Sequence, residues 1–492
     1  MKAPRRVHLV GVSGTGMGSL AMLFAARGDD VSGSDLSFDP PMGPALEATG
    51  IRCVTGYDPA HLSPRPDLVI VGNAVRRDNV EAAFARDSGL AQASMSGALR
   101  AEFLAGRRPL VVCGTHGKTT TSTMCAWVLV TAGLAPGWFI GGIPKNLASG
   151  AAIGETRRRL TSPAPLLAEP GQRGPFVVEG DEYDAVYWDK KPKFLDYVMG
   201  DADEVAIVTS VEHDHIDIYP SREAYEAEFA KLVARVPEGG LLVCDARDPV
   251  LRAMVAAHAR ARVVFYALDG DDTGDVTPTW LGAMAAIDDA GLQPFDLYVG
   301  GMSCGRFQMA APGAHNVRNA IAAMAACAEG FGVPVTTSRT ALATFQGVKR
   351  RQDLLGAPRG ISVYDDFAHH PTAVDETLRA LRARHRAGAL FAVFEPRSAT
   401  ACRALHQHEY TRAFGPATRV LLAPLGRANV PEAERLDVAK LARDLGEKAA
   451  ACPDVDTIVE TIAREARPGD TIAVLSNGAF GGLHARLLEA LA

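Results

Sequence analysis

The chain has 492 residues, 47% apolar and 22% charged, with a formal net charge of −6. That length exceeds one hydrophobic core and predicts roughly two to four domains of ordinary globular composition. The acidic balance argues against general nucleic-acid binding, no apolar run of about 18 residues is available to span a membrane, and eight scattered cysteines without a Cys-x-x-Cys pair argue against a zinc knuckle or a disulfide framework. Met1 to Arg6 leads into a predicted strand without the apolar core of a signal peptide, so a reducing cytoplasm is the expected location.

Apolar runs alternate with helical patterns along the chain, which predicts an α/β fold with mostly parallel sheets and crossover helices. Over 1–105, His8-Leu-Val-Gly11 reads as a strand that opens a turn carrying Gly11, Gly14, Gly16 and Gly18. Backbone amides in such a turn approach a diphosphate, and NAD, FAD or a UDP-sugar fits equally well. A second strand over Asp30–Asp35 ends in an acid about 20 residues on, the place of a ribose contact, although a solvated loop acid explains it too. A third strand, Leu68–Gly72, leads to Asn73. No hydride-transfer site is evident, which weakens a dehydrogenase reading.

Over 106–333, the strand Leu110-Val-Val-Cys113 runs into Gly114-Thr115-His116-Gly117-Lys118-Thr119-Thr120-Thr121, and a helical pattern continues to about Thr131. A glycine turn between strand and helix aims N–H groups at one point, where the helix N-terminus adds partial positive charge. Lys118 can then reach β- and γ-phosphates and Thr119 can ligate Mg²⁺, although Val112 stands where the longer P-loop pattern has its first glycine. The insert over 157–174 reads as an exposed loop. Strands at Phe176–Glu179 and Val205–Thr209 run into Glu179 to Asp184 and into Glu212-His213-Asp214-His215. Polar residues past the carboxyl ends of parallel strands are where such folds place ligands. Glu179 joins Thr119 as a candidate Mg²⁺ ligand, and His215 becomes a ligand to a second ion that Asp214 orients. His213 reads as structural, and Lys190, Lys191 and Lys193 as a solvated face. The stretch 266–310 reads as turn-rich β structure. His315, Asn316 and Asn319 then open an alanine-rich helix, where they can pair with a purine edge or cap the helix.

Over 334–492, strands are expected at Gly360–Tyr364, Leu390–Phe394, Arg419–Ala423 and Thr471–Leu475, with a helix from Thr372 to His385. Arg350 and Arg351 precede them, and a planar guanidinium suits a phosphoryl group. Arg397, Ser398 and Asn477 follow strand ends, where such folds place ligands.

Five motifs in order, Gly114 to Thr121, Glu179 with its acids, Asp214-His215 with Asp217, Gly313-x-His315-Asn316-x-x-Asn319, and Asp365-Asp366-x-x-His369-His370-Pro371-Thr372, resemble the Mur ligase family over the whole chain. The resemblance implies three domains: an N-terminal Rossmann-like UDP-sugar domain, a central P-loop ATPase and a C-terminal Rossmann-like domain for the amine. It implies ATP and Mg²⁺ as cofactors. Lys118 would meet the β- and γ-phosphates, with Thr119 and Glu179 on one Mg²⁺ and His215 on another. His315, Asn316 and Asn319 would meet adenine, Asp365 the ribose and Arg351 the transferring phosphoryl group. Gly11, Gly14, Gly16 and Asp35 would hold the UDP-sugar. The reaction implied is amide formation on UDP-N-acetylmuramate. Gly72–Asn79, Phe139–Asn146, Glu182–Lys191, Phe394–Ser398 and Ser476–Gly482 resemble the branch that adds the tripeptide L-alanyl-γ-D-glutamyl-meso-diaminopimelate in wall recycling. The alternative branch adds L-alanine in wall synthesis. The expected assembly is a monomer or weak homodimer. A hinge for closing the third domain is expected near Gly332 to Ser338. A quiet UDP-sugar sensor is the alternative of another class, and retention of Lys118, Glu179 and His215 speaks against it.

Overall fold

A computed structural model describes residues 4–40, 42–155, 173–201, 203–427 and 430–492. The loop expected at 157–174 falls outside these as far as residue 172. The N-terminal sheet is parallel throughout, in the order Arg52–Thr55, Asp30–Asp35, Arg6–Val10, Leu68–Val71, Gln92–Ser94. Leu68-Val-Ile-Val71 is buried on both faces, as a central parallel strand must be.

Among the described residues the central sheet has ten strands. Arg108–Cys113 lies between Pro175–Glu179 and Val205–Val208, parallel to both. The parallel run continues through Leu241–Asp245, Arg262–Leu268 and Trp280–Met284. Gln293–Val299 and Met302–Met309 then extend it as antiparallel strands, the β-rich end expected at 266–310. Parallel pairing brings the carboxyl ends Cys113, Glu179 and Val208 to one edge, and the functional side chains gather there.

The C-terminal sheet runs Asp353–Gly356, Ser362–Asp366, Thr471–Leu475, Leu390–Phe394, Arg419–Leu422, Ala449–Ala451, with only the first strand antiparallel. The helix Pro371–Arg384 begins with proline at its first position, where the missing N–H costs nothing, and His370 accepts from Thr372 N as its cap. Ile361, Val363, Ile472 and Val474 pack one face of this sheet, and Tyr364, Ala392, Phe394 and Leu475 the other.

The expected hinge is displaced. The helix Val335–Ala343 packs on the helix Lys118–Thr131, and its Ala341 and Leu342 belong to the central core with Phe345. The chain therefore leaves the central domain after Phe345, not at Val333. The linking stretch still leans on it through Lys145 N to Gly347 O and Lys349 N to Ile143 O, both 3.0 Å.

Candidate active site at the central strand ends

Cys113 hands the chain to a turn that needs its glycines. Gly114 has φ 122° and Gly117 φ 76°, and a Cβ on Gly117 would collide with Asn319 Oδ1. Gly117 then caps the helix Lys118–Thr131. The turn is braced from the neighbouring strand end: Ser210 O accepts from Thr115 N at 3.0 Å, and Ser210 Oγ accepts from His116 N at 3.2 Å. Thr209 Oγ1 donates to His116 O at 2.5 Å. Thr120 is buried in the first helical turn.

Lys118 Nζ donates to Gly114 O at 2.6 Å and to Glu182 Oε1 at 2.7 Å. Burial works against its charge, but Glu182 outweighs burial and the pKa rises. Lys118 is thus held as a cation across the turn it serves. Thr119 Oγ1 donates to Glu179 Oε1 at 2.7 Å, and Gly141 N donates to Glu179 Oε2 at 2.7 Å. Burial still pushes the Glu179 pKa up despite these donors and the charges of Lys118 and Arg351. A carboxylate short of positive charge beside a hydroxyl is an oxygen donor pair that fits Mg²⁺.

His215 adopts φ 53°, an uncommon conformation for a residue with a Cβ. Its ring lies 4.5 Å from that of Tyr183 and its Nε2 3.8 Å from Glu182 Oε2. Asp214 is buried, yet the positive charge available on His215, His369 and His370 and the Thr400 hydrogen bond hold its pKa far down. It accepts from His215 N at 2.7 Å and from Thr400 Oγ1 at 2.5 Å. His213 Nε2 meets Tyr219 O at 3.0 Å, a structural contact.

Arg351 sits between two residues with left-handed backbone, Arg350 at φ 62° and Gln352 at φ 47°. Arg350 donates to Asp365 Oδ2 at 3.2 Å, Ser476 O at 2.7 Å and Gly478 O at 2.8 Å, while Asp366 accepts from Gln352 N at 2.7 Å. These bonds over-determine the strained turn. They leave the Arg351 guanidinium over the Phe367 ring at 5.0 Å, within electrostatic reach of Glu179.

Other candidates are placed differently. Asn316, in the first turn of the helix Ala314–Ala325, donates its amide to Pro312 O at 2.8 Å, and the helix has no side-chain cap. His315 Nε2 is 3.0 Å from Gln352 Nε2, and burial pushes its pKa down, so it meets the chain beside Arg351 as a neutral ring. Asp365 is tied to Arg350 and stands 3.1 Å from His484 Nε2. Asp35 accepts from Ser13 N at 2.8 Å, so it shapes the glycine turn it was expected to complement. Gly11 has φ 82°, Gly14 precedes the helix Thr15–Arg27, and a Cβ on Gly16 would come 2.7 Å from Met95 Sδ. Asn73 is exposed beyond Leu68–Val71. Ser398 is buried and its Oγ accepts from Ala401 N at 2.9 Å, which shapes the turn there. Arg397 lies against Gly426 and Gly478, 3.6 Å from Glu395, and Asn477 Oδ1 is buried without a partner. Lys190 is exposed as expected, but Lys193 is buried against Asp181 at 3.1 Å, a correction to the solvated face.

Sequence reasoning left Glu182, Ser210 and Glu212 without roles. Glu182 pairs with Lys118, Ser210 braces the turn, and Glu212 Oε2 meets His116 Nε2 at 3.2 Å and accepts from Thr372 Oγ1 at 2.7 Å. Their positions past strand ends were the available signal.

Comparison with known proteins agrees with this layout. The family described as "Mur ligase family, catalytic domain" matches residues 6–106, "Mur ligase middle domain" matches 189–327, and "Mur ligase, glutamate ligase domain" matches 350–478. The UDP-N-acetylmuramate–L-alanyl-γ-D-glutamyl-meso-2,6-diaminoheptandioate ligase of Escherichia coli K12 is 36% identical over 99% of this chain and 98% of its own length. The UDP-N-acetylmuramate–L-alanine ligase of Kineococcus radiotolerans is 37% identical over 99% and 96%. The crystal structure of a murein peptide ligase from Psychrobacter arcticus 273-4 superposes with a TM-score of 0.70 at 33% identity, covering 99% of this chain and 98% of that one.

Proposed function

The chain belongs to the Mur ligase family, ATP-dependent enzymes that join carbon to nitrogen, and from that membership we propose that it links UDP-N-acetylmuramate to L-alanyl-γ-D-glutamyl-meso-diaminopimelate in peptidoglycan recycling. The observation that carries the chemistry is the convergence of Lys118, the Thr119–Glu179 pair and Arg351 at the carboxyl end of one parallel sheet. Identity alone does not separate the tripeptide from the L-alanine reading, at 36% against 37%. The stretches 72–79, 139–146, 182–191, 394–398 and 476–482 favour the tripeptide.

A carboxylate does not react with an amine at neutral pH until its oxygen is made a leaving group. The lactyl carboxylate of the sugar attacks the γ-phosphoryl of ATP, releasing ADP and leaving an acyl phosphate. The tripeptide amine then adds to that carbonyl and expels phosphate. Lys118 and Arg351 stabilise charge on the transferring phosphoryl oxygens from fixed positions. Thr119, Glu179 and His215 would hold Mg²⁺, which neutralises phosphate charge when bound. Asn319 backs the turn at Gly117, with His315 beside it on the adenine side and Asp365 on the ribose side. Gly11, Gly14, Gly16 and Asp35 form the diphosphate turn for the UDP-sugar. Arg397 and Asn477, at the ends of C-terminal strands, are the groups placed to meet the peptide. The third domain closes over the site and excludes water. No described helix is long and apolar enough to cross a membrane, and a cytoplasmic location is part of the proposed reading.

The test is phosphate release from ATP and UDP-N-acetylmuramate with either the tripeptide or free L-alanine. The tripeptide is expected to be preferred, and preference for L-alanine overturns the recycling reading. Heavy-oxygen label in the sugar carboxylate is expected to appear in released phosphate. Its failure to transfer ends the acyl-phosphate route.

A further inference from the structure

One cluster beside the P-loop is not used by this chemistry. His116 Nε2 lies 3.2 Å from Glu212 Oε2, and His370 Nδ1 lies 3.6 Å from the same oxygen. One donor atom from each of the three residues lies within 4.8 Å of the others. Donors 2.0–2.1 Å from a tetrahedral ion stand roughly 3.4 Å apart, so two of the three edges already have ligation spacing. His370 is buried, and its Nδ1, the nitrogen that faces Glu212, receives only a long 3.4 Å bond from Thr372 N. Thr372 Oγ1 donates to Glu212 and fixes the carboxylate from outside the cluster, as the outer partners of metal ligands do.

We propose that His116, Glu212 and His370 form a divalent-metal site, separate from Thr119, Glu179 and His215, that takes a borderline-soft ion of the Zn²⁺ class. Two imidazoles and one carboxylate suit Zn²⁺ or Co²⁺ better than Mg²⁺, which prefers oxygen donors and keeps several waters. The ligands come from the P-loop, the segment after Val205–Val208, and the C-terminal loop before Pro371–Arg384. An ion here ties the nucleotide turn to the third domain and pins the domains together. Three protein ligands leave a fourth position for water or an anion. The site acts as a brake on opening, and it does not depend on which amine the enzyme uses.

Chelator-treated full-length protein is titrated with Co²⁺ alone, and visible absorption is followed. Tetrahedral Co²⁺ with nitrogen ligands absorbs intensely, and six-coordinate Co²⁺ on oxygen donors absorbs weakly. Wild type and His215→Ala are expected to develop one equivalent of intense absorption that added Zn²⁺ abolishes. His370→Gln and Glu212→Gln, altered in different domains and checked for native melting, are expected to lose it. Zn²⁺ is also expected to slow limited proteolysis of residues 344–352 in wild type and His215→Ala, and not in His370→Gln or Glu212→Gln. Absence of the band in wild type, its survival in either folded variant, or its loss in His215→Ala overturns the proposal. If one variant does not fold, the other decides.

Discussion

The seam between the N-terminal and central domains and the seam between the central and C-terminal domains are built from different chemistry. At the first, one apolar cluster runs without a break from Leu9, Leu20, Phe24, Leu99 and Phe103 into Phe139, Phe176, Leu195 and Tyr197. At the second, the clusters of the C-terminal domain contain only residues from 361 onward. The contact there is polar: Thr372 on Glu212, Thr400 on Asp214, and Arg247 3.7 Å from Glu376. Opening the first seam exposes apolar surface at about 25 cal/mol per Å². Opening the second exchanges hydrogen bonds to protein for hydrogen bonds to water, at a net cost of about 1 kcal/mol each. The difference shows which seam is a packed core: the N-terminal and central domains form one base, and the C-terminal domain is held to it by groups that water can satisfy.

The proposed catalytic groups follow the same division: Lys118, Thr119 and Glu179 stand on the base, while Arg351 and the loop 365–372 belong to the C-terminal side. Lys118→Ala is expected to reduce amide formation by about 10²–10³-fold or more while leaving both seams intact, because it removes a preorganised donor to developing charge. Turnover close to wild type would remove Lys118 from the mechanism. Leu195→Ala, in the apolar seam, is expected to cost about 2–5 kcal/mol and to lower the main thermal transition. A shift of less than about 1 kcal/mol would show that this seam is not a packed core.

Thr400→Val tests the polar seam. It removes one of two donors to Asp214 Oδ1, His215 N keeping the other, and a hydrogen bond to a charged group is worth about 1.5–3 kcal/mol. The expected result is faster proteolysis at 344–352 and weaker nucleotide binding with the main melting transition little changed. A main transition lowered as much as by Leu195→Ala would erase the contrast between the seams. The smallest expected effect is Arg247→Gln, which removes a partly exposed ion pair worth about 0–1 kcal/mol.

Acid sharpens the contrast further. Burial and the His116 charge push the His370 pKa down to about 3 from 6.5. The unfolded or undocked chain takes up a proton that the closed seam refuses, so docking weakens as pH falls from about 6.5 toward 3. Burial opposes the Glu212 charge, but His116, His370 and Thr372 outweigh it and hold the pKa at about 2 against 4.5. Glu212 therefore adds stability above pH 4.5 that is lost as pH falls toward 2. His116 works in the other direction: its pKa is raised, so its contribution is complete below 6.5 and lost as pH rises through the folded value. His370→Gln is expected to flatten the loss between pH 6.5 and the Glu212 range, read as proteolysis at 344–352 across pH. An unchanged profile would mean that His370 does not set the acid response.

Much of the base was written locally. Asp30–Asp35, Leu390–Phe394 and Thr471–Leu475 were expected at the bounds they have, and the P-loop helix was off by one residue. Strand periodicity and the order glycine, lysine, threonine are short-range signals that neighbours in sequence enforce. Glu182 as the partner of Lys118, the Asn316 bond to Pro312 O and the Ser398 bond to Ala401 N were not legible, because each depends on which hydrogen-bond partner the fold brings closest. The displaced hinge had the same cause. Val335–Ala343 has an ordinary helical pattern, and only packing on Lys118–Thr131 assigns it to the base.

By itself the sequence determined the three α/β sheets, the phosphate turn and the acids beyond the strand ends, since backbone geometry and hydrophobic pattern act over a few residues. Tertiary structure alone decided that His116, Glu212 and His370 meet, that Asp214 is gripped by Thr400, and that one seam is greasy and the other wet. Those outcomes join residues as far as 254 positions apart (116 to 370). Contacts at that separation are set by how finished domains pack, a property no local stretch of chain contains.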